Sequence, residues 1–270
     1  MGGISPLPKM MFQIPEQINT QESWHVTLKG TDIVLCNSSD YALQKQKSDP
    51  ELFMLENKGI DYHTAIKVKD GWLVALNKGE FGGSVWWYSK NLEHDKKIAE
   101  LNDVNVIAFF EVKERIFAVA GLSHMALHRK GGLFEFQLEN SDNWSIKKVA
   151  DFAGYPVEHF FSGVNNKLYT VVNSVIIGER FLESRSSLLE VSLEGEITYW
   201  VDNGFWRHIS RKNDINKFHP TNSLAHEPDS GDVYIGLSLG VAKITAHDKN
   251  VIWLVPPEYH TFLEKHKWNE

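Results

Sequence analysis

The 270 residues carry 28 Lys+Arg against 35 Asp+Glu, a formal charge of −7, which disfavours nucleic acid and anionic membrane as partners unless the charges are segregated. A hydrophobic share of 42% and a charged share of 23% fit an ordinary globular domain spanning 1–270, and nine Trp, eight Tyr and fifteen Phe favour strands within it. One cysteine, Cys36, excludes an internal disulfide and predicts a reducing, cytoplasmic setting.

Residues 1–20 hold three prolines and no apolar run of signal-peptide length. Residues 10–14 are read as a strand that closes a ring. From there the chain speaks in short apolar runs between Gly, Asn, Asp and Lys turns. Five runs share one pattern: 31–37 (TDIVLCN), 70–77 (DGWLVALN), 114–121 (ERIFAVAG), 166–173 (NKLYTVVN) and 231–238 (GDVYIGLS). Each opens on a polar turn pair, continues through β-formers and stops at a small or turn residue.

A strand-like run precedes each of the five, at 24–28, 63–68, 106–112, 159–164 and 223–226, joined by a tight hairpin turn. A third run follows each, at 52–55 (LFML), 84–88, 132–136, 187–191 and 240–244. A fourth is readable at 97–101, 144–149, 196–200 and 251–255, and is missing from the first unit. Residues 258–270 place Tyr259, Phe262 and Leu263 on one helical face, which predicts a short terminal helix. Four antiparallel strands recurring every 40 to 64 residues predict an all-β fold, a single β-propeller of about five four-stranded blades, with six as the other count.

In such a blade the first-to-second and third-to-fourth turns lie on one face of the disc, and the remaining connections lie on the other. The first-to-second turns are short here, whereas 37–50, 121–131, 173–186 and above all 202–221 read as long loops on the second face. Long loops gathered on one face suggest function. They carry His124, His128, Arg129, Phe205, Trp206, Arg207, His208 and Arg211, an aromatic and guanidinium composition suited to a protein interface. The leading expectation is a non-catalytic protein-binding propeller that needs no cofactor. A more specific form of it is a cytoplasmic immunity protein whose partner is a toxin domain.

One stretch carries a family resemblance. Residues 221–235 (TNSLAHEPDSGDVYI) followed by 240–244 (GVAKI) resemble a blade of the NHL and gluconolactonase/SMP-30-like propellers. The likeness covers about one blade in five. It implies a propeller and, as an enzymatic alternative, a lactonase or hydrolase with one divalent metal ion, whose ligands are similar in place to Glu22, Asn105 and Asn222. No Gly-Pro follows Glu22, a departure from that pattern. A second alternative is a five-bladed glycosidase, for which Glu22, Asp61 and Glu158 would supply the carboxylates, with His63 and His159 at matching strand starts. No nucleophile elbow, phosphate loop or paired-cysteine motif appears in the sequence.

Overall fold

The computed structural model describes residues 5–7, 24–37, 52–124, 128–140, 143–163, 165–177, 181–211, 221–237 and 240–255. Sheet one is the hairpin β2 (Trp24–Lys29) and β3 (Asp32–Asn37). Sheet two contains β4 (Thr64–Val68), β5 (Gly71–Asn77), β6 (Gly83–Ser89) and β7 (Asp95–Leu101). Sheet three contains β8 (Asn105–Val112), β9 (Arg115–His124), β10 (His128–Asn140) and β11 (Asn143–Phe152). Sheet four contains β12 (Tyr155–Ser162), β13 (Lys167–Ile177), β14 (Phe181–Ser192) and β15 (Ile197–Arg211). Sheet five runs from β16 (Thr221–His226) through β17 (Val233–Leu237) and β18 (Val241–Ile244) to β19 (Val251–Val255), with β1 (Ser5–Leu7) antiparallel on its outer edge. β1 apart, the strands of each sheet meander antiparallel in chain order.

The core explains why the second strand of each unit was legible. In β9, Ile116, Ala118 and Ala120 face sheet two, while Phe117 and Val119 face sheet four; all five are buried. Both faces of the strand are covered, so the run is continuously apolar rather than alternating. Burying one such large side chain contributes about 2 kcal/mol. Further clusters lie between sheets four and five and between sheets five and one. β16 and β17 pack on β2, and the Val26 N–H donates to Ser223 Oγ at 2.6 Å, so the last sheet meets the first. Sheets two to five stacked face to face in chain order, with sheet one against sheet five, make the all-β, propeller-like fold that the repeat predicts.

Three sequence expectations change. Residues 52–55 are not a strand: Phe53–Asn57 is a short α-helix, α1. Leu52 and Leu55 stand three apart and pack with Trp72 and Val74 on the outer face of sheet two, a helical spacing that the apolar run concealed. The chain segment that reaches sheet five from the N-terminus is Ser5–Leu7; the expected strand 10–14 and the helix 258–270 lie outside the described residues. Lastly, of the expected loops, 121–124 with 128–131, 173–177 with 181–186, and 202–211 are strand residues. They are prolongations of β9 and β10, of β13 and β14, and of β15. No helix among the described residues is long and apolar enough to cross a membrane.

Candidate functional site

At the end of the sheets that carries the short turns, sheets three, four and five repeat one device. The residue that opens the second strand, or in sheet five just precedes it, forms an ion pair with the third-strand residue opposite the position two further on. The pairs are Arg115–Glu135 at 2.7 Å, Lys167–Glu190 at 3.1 Å and Asp232–Lys243 at 2.8 Å. That position two further on is aromatic each time, Phe117, Tyr169 or Tyr234, and faces its third-strand partner Glu135, Glu190 or Lys243. The sign is reversed in sheet five. Arg115 also lies 3.8 Å from Glu194 of the β14–β15 turn, which links this end of sheet three to the same end of sheet four.

The sheet-four pair is the most elaborate. Glu190 Oε2 accepts from the Tyr169 hydroxyl (3.1 Å) and the Trp200 Nε1–H (3.0 Å), and Lys249 Nζ sits 3.3 Å from the centre of the Trp200 ring. Burial pushes the Tyr169 phenol above its ordinary value. His226 stacks 4.7 Å from Tyr169 and 6.1 Å from Phe160, and its Nε2 finds no hydrogen-bond partner among the described residues. Burial lowers the His226 imidazole, against the opposing pull of Glu190, Asp232 and Glu227.

Sheet two lacks the device. Gly71 stands where the others have Arg115, Lys167 or Asp232, and Trp87 stands where they have Glu135, Glu190 or Lys243. A Cβ at Gly71 would lie 1.9 Å from the Tyr88 carbonyl oxygen, so no side chain fits there. A cleft of about 1070 Å³ opens between sheets two and three at this end. Lys69 and Lys90 line it from the sheet-two turns, Glu111 and Glu114 line it from sheet three, and Phe136 and Leu138 form part of its floor. The β8–β9 turn beside it is a two-residue hairpin, Lys113-Glu114, with both residues left-handed at φ 49° and 64°.

Of the residues singled out from the sequence, Asp61, His63 and Asn105 lie at the opposite end. Asp61 and His63, both exposed, line a second pocket of about 590 Å³ with Asn77 and Lys78. Asn105 is buried beside that corner with its amide committed: Oδ1 accepts the Lys78 N–H at 3.3 Å and Nδ2 donates to the Gly79 carbonyl at 2.6 Å. The amide thus holds the 78–79 turn from both of its ends. Glu158 and His159 are half-buried in β12, where the Glu158 carbonyl accepts from Thr170 Oγ1 at 3.0 Å. Glu22 lies outside the described residues. Asn222 is in β16, and its side chain is outside the description.

Of the expected interface residues, Arg129 is half-buried in β10 near Tyr155, and burial lowers its guanidinium. His124 ends β9 and His128 begins β10, opposite one another in register. Phe205, Trp206, Arg207, His208 and Arg211 are strand residues of β15; 206–211 pair with 181–186 of β14, while 202–205 form an irregularity in the ladder. At the root of this extension Ser186 Oγ donates to Asn173 Oδ1 at 2.6 Å, both residues fully buried. The charge-pair device and the sheet-two cleft were not anticipated. The signal was present in the alignment of the runs, where Arg115, Lys167 and Asp232 share one place and Gly71 breaks the series.

Neither a protein-family model nor a curated protein sequence matches the chain. Among solved structures, a xylan β-1,4-xylosidase from Bacillus halodurans C-125 is similar over 71% of this chain and 51% of its own, at 8% identity and a TM-score of 0.28. The chain thus spans about half the length of that enzyme, and a likeness this slight carries no argument about activity.

Proposed function

We propose that this is a non-catalytic protein-binding propeller whose contact element is the prolonged part of sheet four, and that its partner presents an acidic surface. The observation that carries the reading is the pairing of 206–211 with 181–186, which gathers Arg185, Arg207 and Arg211 on one two-stranded extension. Guanidinium groups pair bidentately with carboxylates, so such a ladder suits an acidic partner surface. Trp206 and Phe205 beside them are of the kind that dominates interface energetics. An immunity protein that neutralises a toxin domain in the cytoplasm, without a cofactor, is the specific form of this reading. The lactonase alternative draws less support, because Asn105 already holds a turn by both ends of its amide.

The test is recovery of the native partner on immobilised protein, followed by affinity measurement with Trp206→Ala and Arg207→Glu. Each variant is expected to weaken binding by about 2 kcal/mol or more with little change in melting temperature, and wild-type binding is expected to weaken as salt rises. Unchanged affinity in both variants would remove the extension as the contact element.

A further inference from the structure

The sheet-two cleft lies at the other end of the sheets from this extension and calls for a separate account. Its two walls have opposite charge. Lys69 and Lys90 stand on one side and Glu111 and Glu114 on the other, and none of the four has a salt-bridge or hydrogen-bond partner among the described residues. Elsewhere at this end the chain pairs its charges within a sheet, as Arg115, Lys167 and Asp232 show. Facing walls left unpaired across an apolar floor of Phe136 and Leu138 are complementary to something that brings both signs and an apolar group.

The turn that presents Glu114 points the same way. A two-residue hairpin of this kind needs φ above zero at both central residues, and Asn-Gly is its usual sequence. Here the residues are Lys113 and Glu114, the one consecutive pair of left-handed non-glycine residues among those described. The first-to-second turn of sheet one, Gly30-Thr31, places a glycine at its left-handed position, φ 66°. A side chain kept where glycine would relieve the backbone suggests a role for that side chain.

We infer that the cleft between sheets two and three binds a short peptide segment that carries an acidic and a basic residue around an apolar one. The acidic residue meets Lys69 and Lys90, the basic residue meets Glu111 and Glu114, and the apolar side chain rests on Leu138 and Phe136. The volume is at the upper end of small-molecule clefts, which favours a segment of several residues over a single amino acid.

The experiment is fluorescence anisotropy on the full chain with labelled, end-capped octapeptides. One set places a Glu and a Lys at varied spacing around a Leu; control sets carry Lys only, Glu only, or neither. At least one mixed peptide is expected to bind about tenfold tighter than every control. Glu114→Gly is expected to bring it down to the Glu-only level without lowering the melting temperature, since glycine accepts the φ of 64°. Lys69→Ala with Lys90→Ala is expected to reduce binding to the Lys-only level. Equal or absent binding across the four sets overturns the inference, and so does full affinity in Glu114→Gly. Preference for the Lys-only set overturns the two-wall mode. Trp206→Ala leaves these readings unchanged, which separates them from the test of the extension.

Discussion

The joint between sheets four and five and the joint between sheets two and three follow one plan and are finished differently. In the first, Lys167 and Glu190 occupy the repeated charge positions, and Tyr169, Trp200 and His226 fill the space around them. In the second, Gly71 and Trp87 occupy those positions and the space stays open as a cleft. The difference turns on one backbone approach. The Tyr88 carbonyl comes so close to Gly71 that no side chain can enter, and without a side chain there is no charge for a third-strand partner to meet. A repeat protein can therefore turn one of its equivalent joints into a recess by withdrawing a single side chain.

Removing Glu190 gives the largest effect expected from this comparison. Glu190→Ala strands a partly buried ammonium, the buried Tyr169 hydroxyl and the Trp200 N–H, and is expected to cost about 3 kcal/mol by chemical denaturation. Glu135→Ala, in the simpler sheet-three pair, is expected to cost about half of that, because the Arg115 side chain is 40% exposed and regains water. Equal losses at the two sites would show that the aromatic partners of Glu190 add nothing.

Gly71→Ala tests the backbone approach itself. The added methyl has to displace the Tyr88 carbonyl, at an expected cost of about 2 kcal/mol. A melting temperature at or above wild type would mean that sheet two tolerates a side chain there, and the account of the cleft would fail.

The smallest effect is a pH dependence confined to the closed joint. The folded-state imidazole of His226 titrates below its unfolded value of 6.5, so the unfolded chain binds the extra proton first. Its contribution is complete above pH 6.5 and declines as pH falls below that. Asp232 acts in a separate window. Burial pushes its carboxyl up, but the Lys243 ammonium and the Ala246 N–H more than reverse this and hold it below 3.8, so its contribution is lost only at still lower pH. His226→Phe keeps a ring between Tyr169 and Phe160 and is expected to flatten the upper limb alone. Denaturation midpoints compared at pH 5 and pH 7.5 decide it; a slope persisting in the variant assigns the dependence elsewhere.

The sequence by itself determined the number of sheets and the place of most of their strands. A second strand buried on both faces has to be an apolar run with turn residues at each end, and 70–77, 114–121, 166–173 and 231–238 are such runs. It also carried the charge-pair positions, visible once the runs are set beside each other. Only the tertiary structure decided the rest. Residues 174–177, 181–186 and 206–211 are strands because their backbones pair with one another, and a ladder without a continuous apolar face leaves no periodic trace. Leu52 and Leu55 form one face of a helix because Trp72 and Val74 of sheet two offer a surface there, a fact held nowhere in 52–55. Asn105 matched a metal ligand in strand position, yet whether its amide was free depended on the Lys78 and Gly79 backbone groups that fold against it. Local pattern records which faces are buried; what a polar side chain can do is set by the groups that other parts of the chain bring to it.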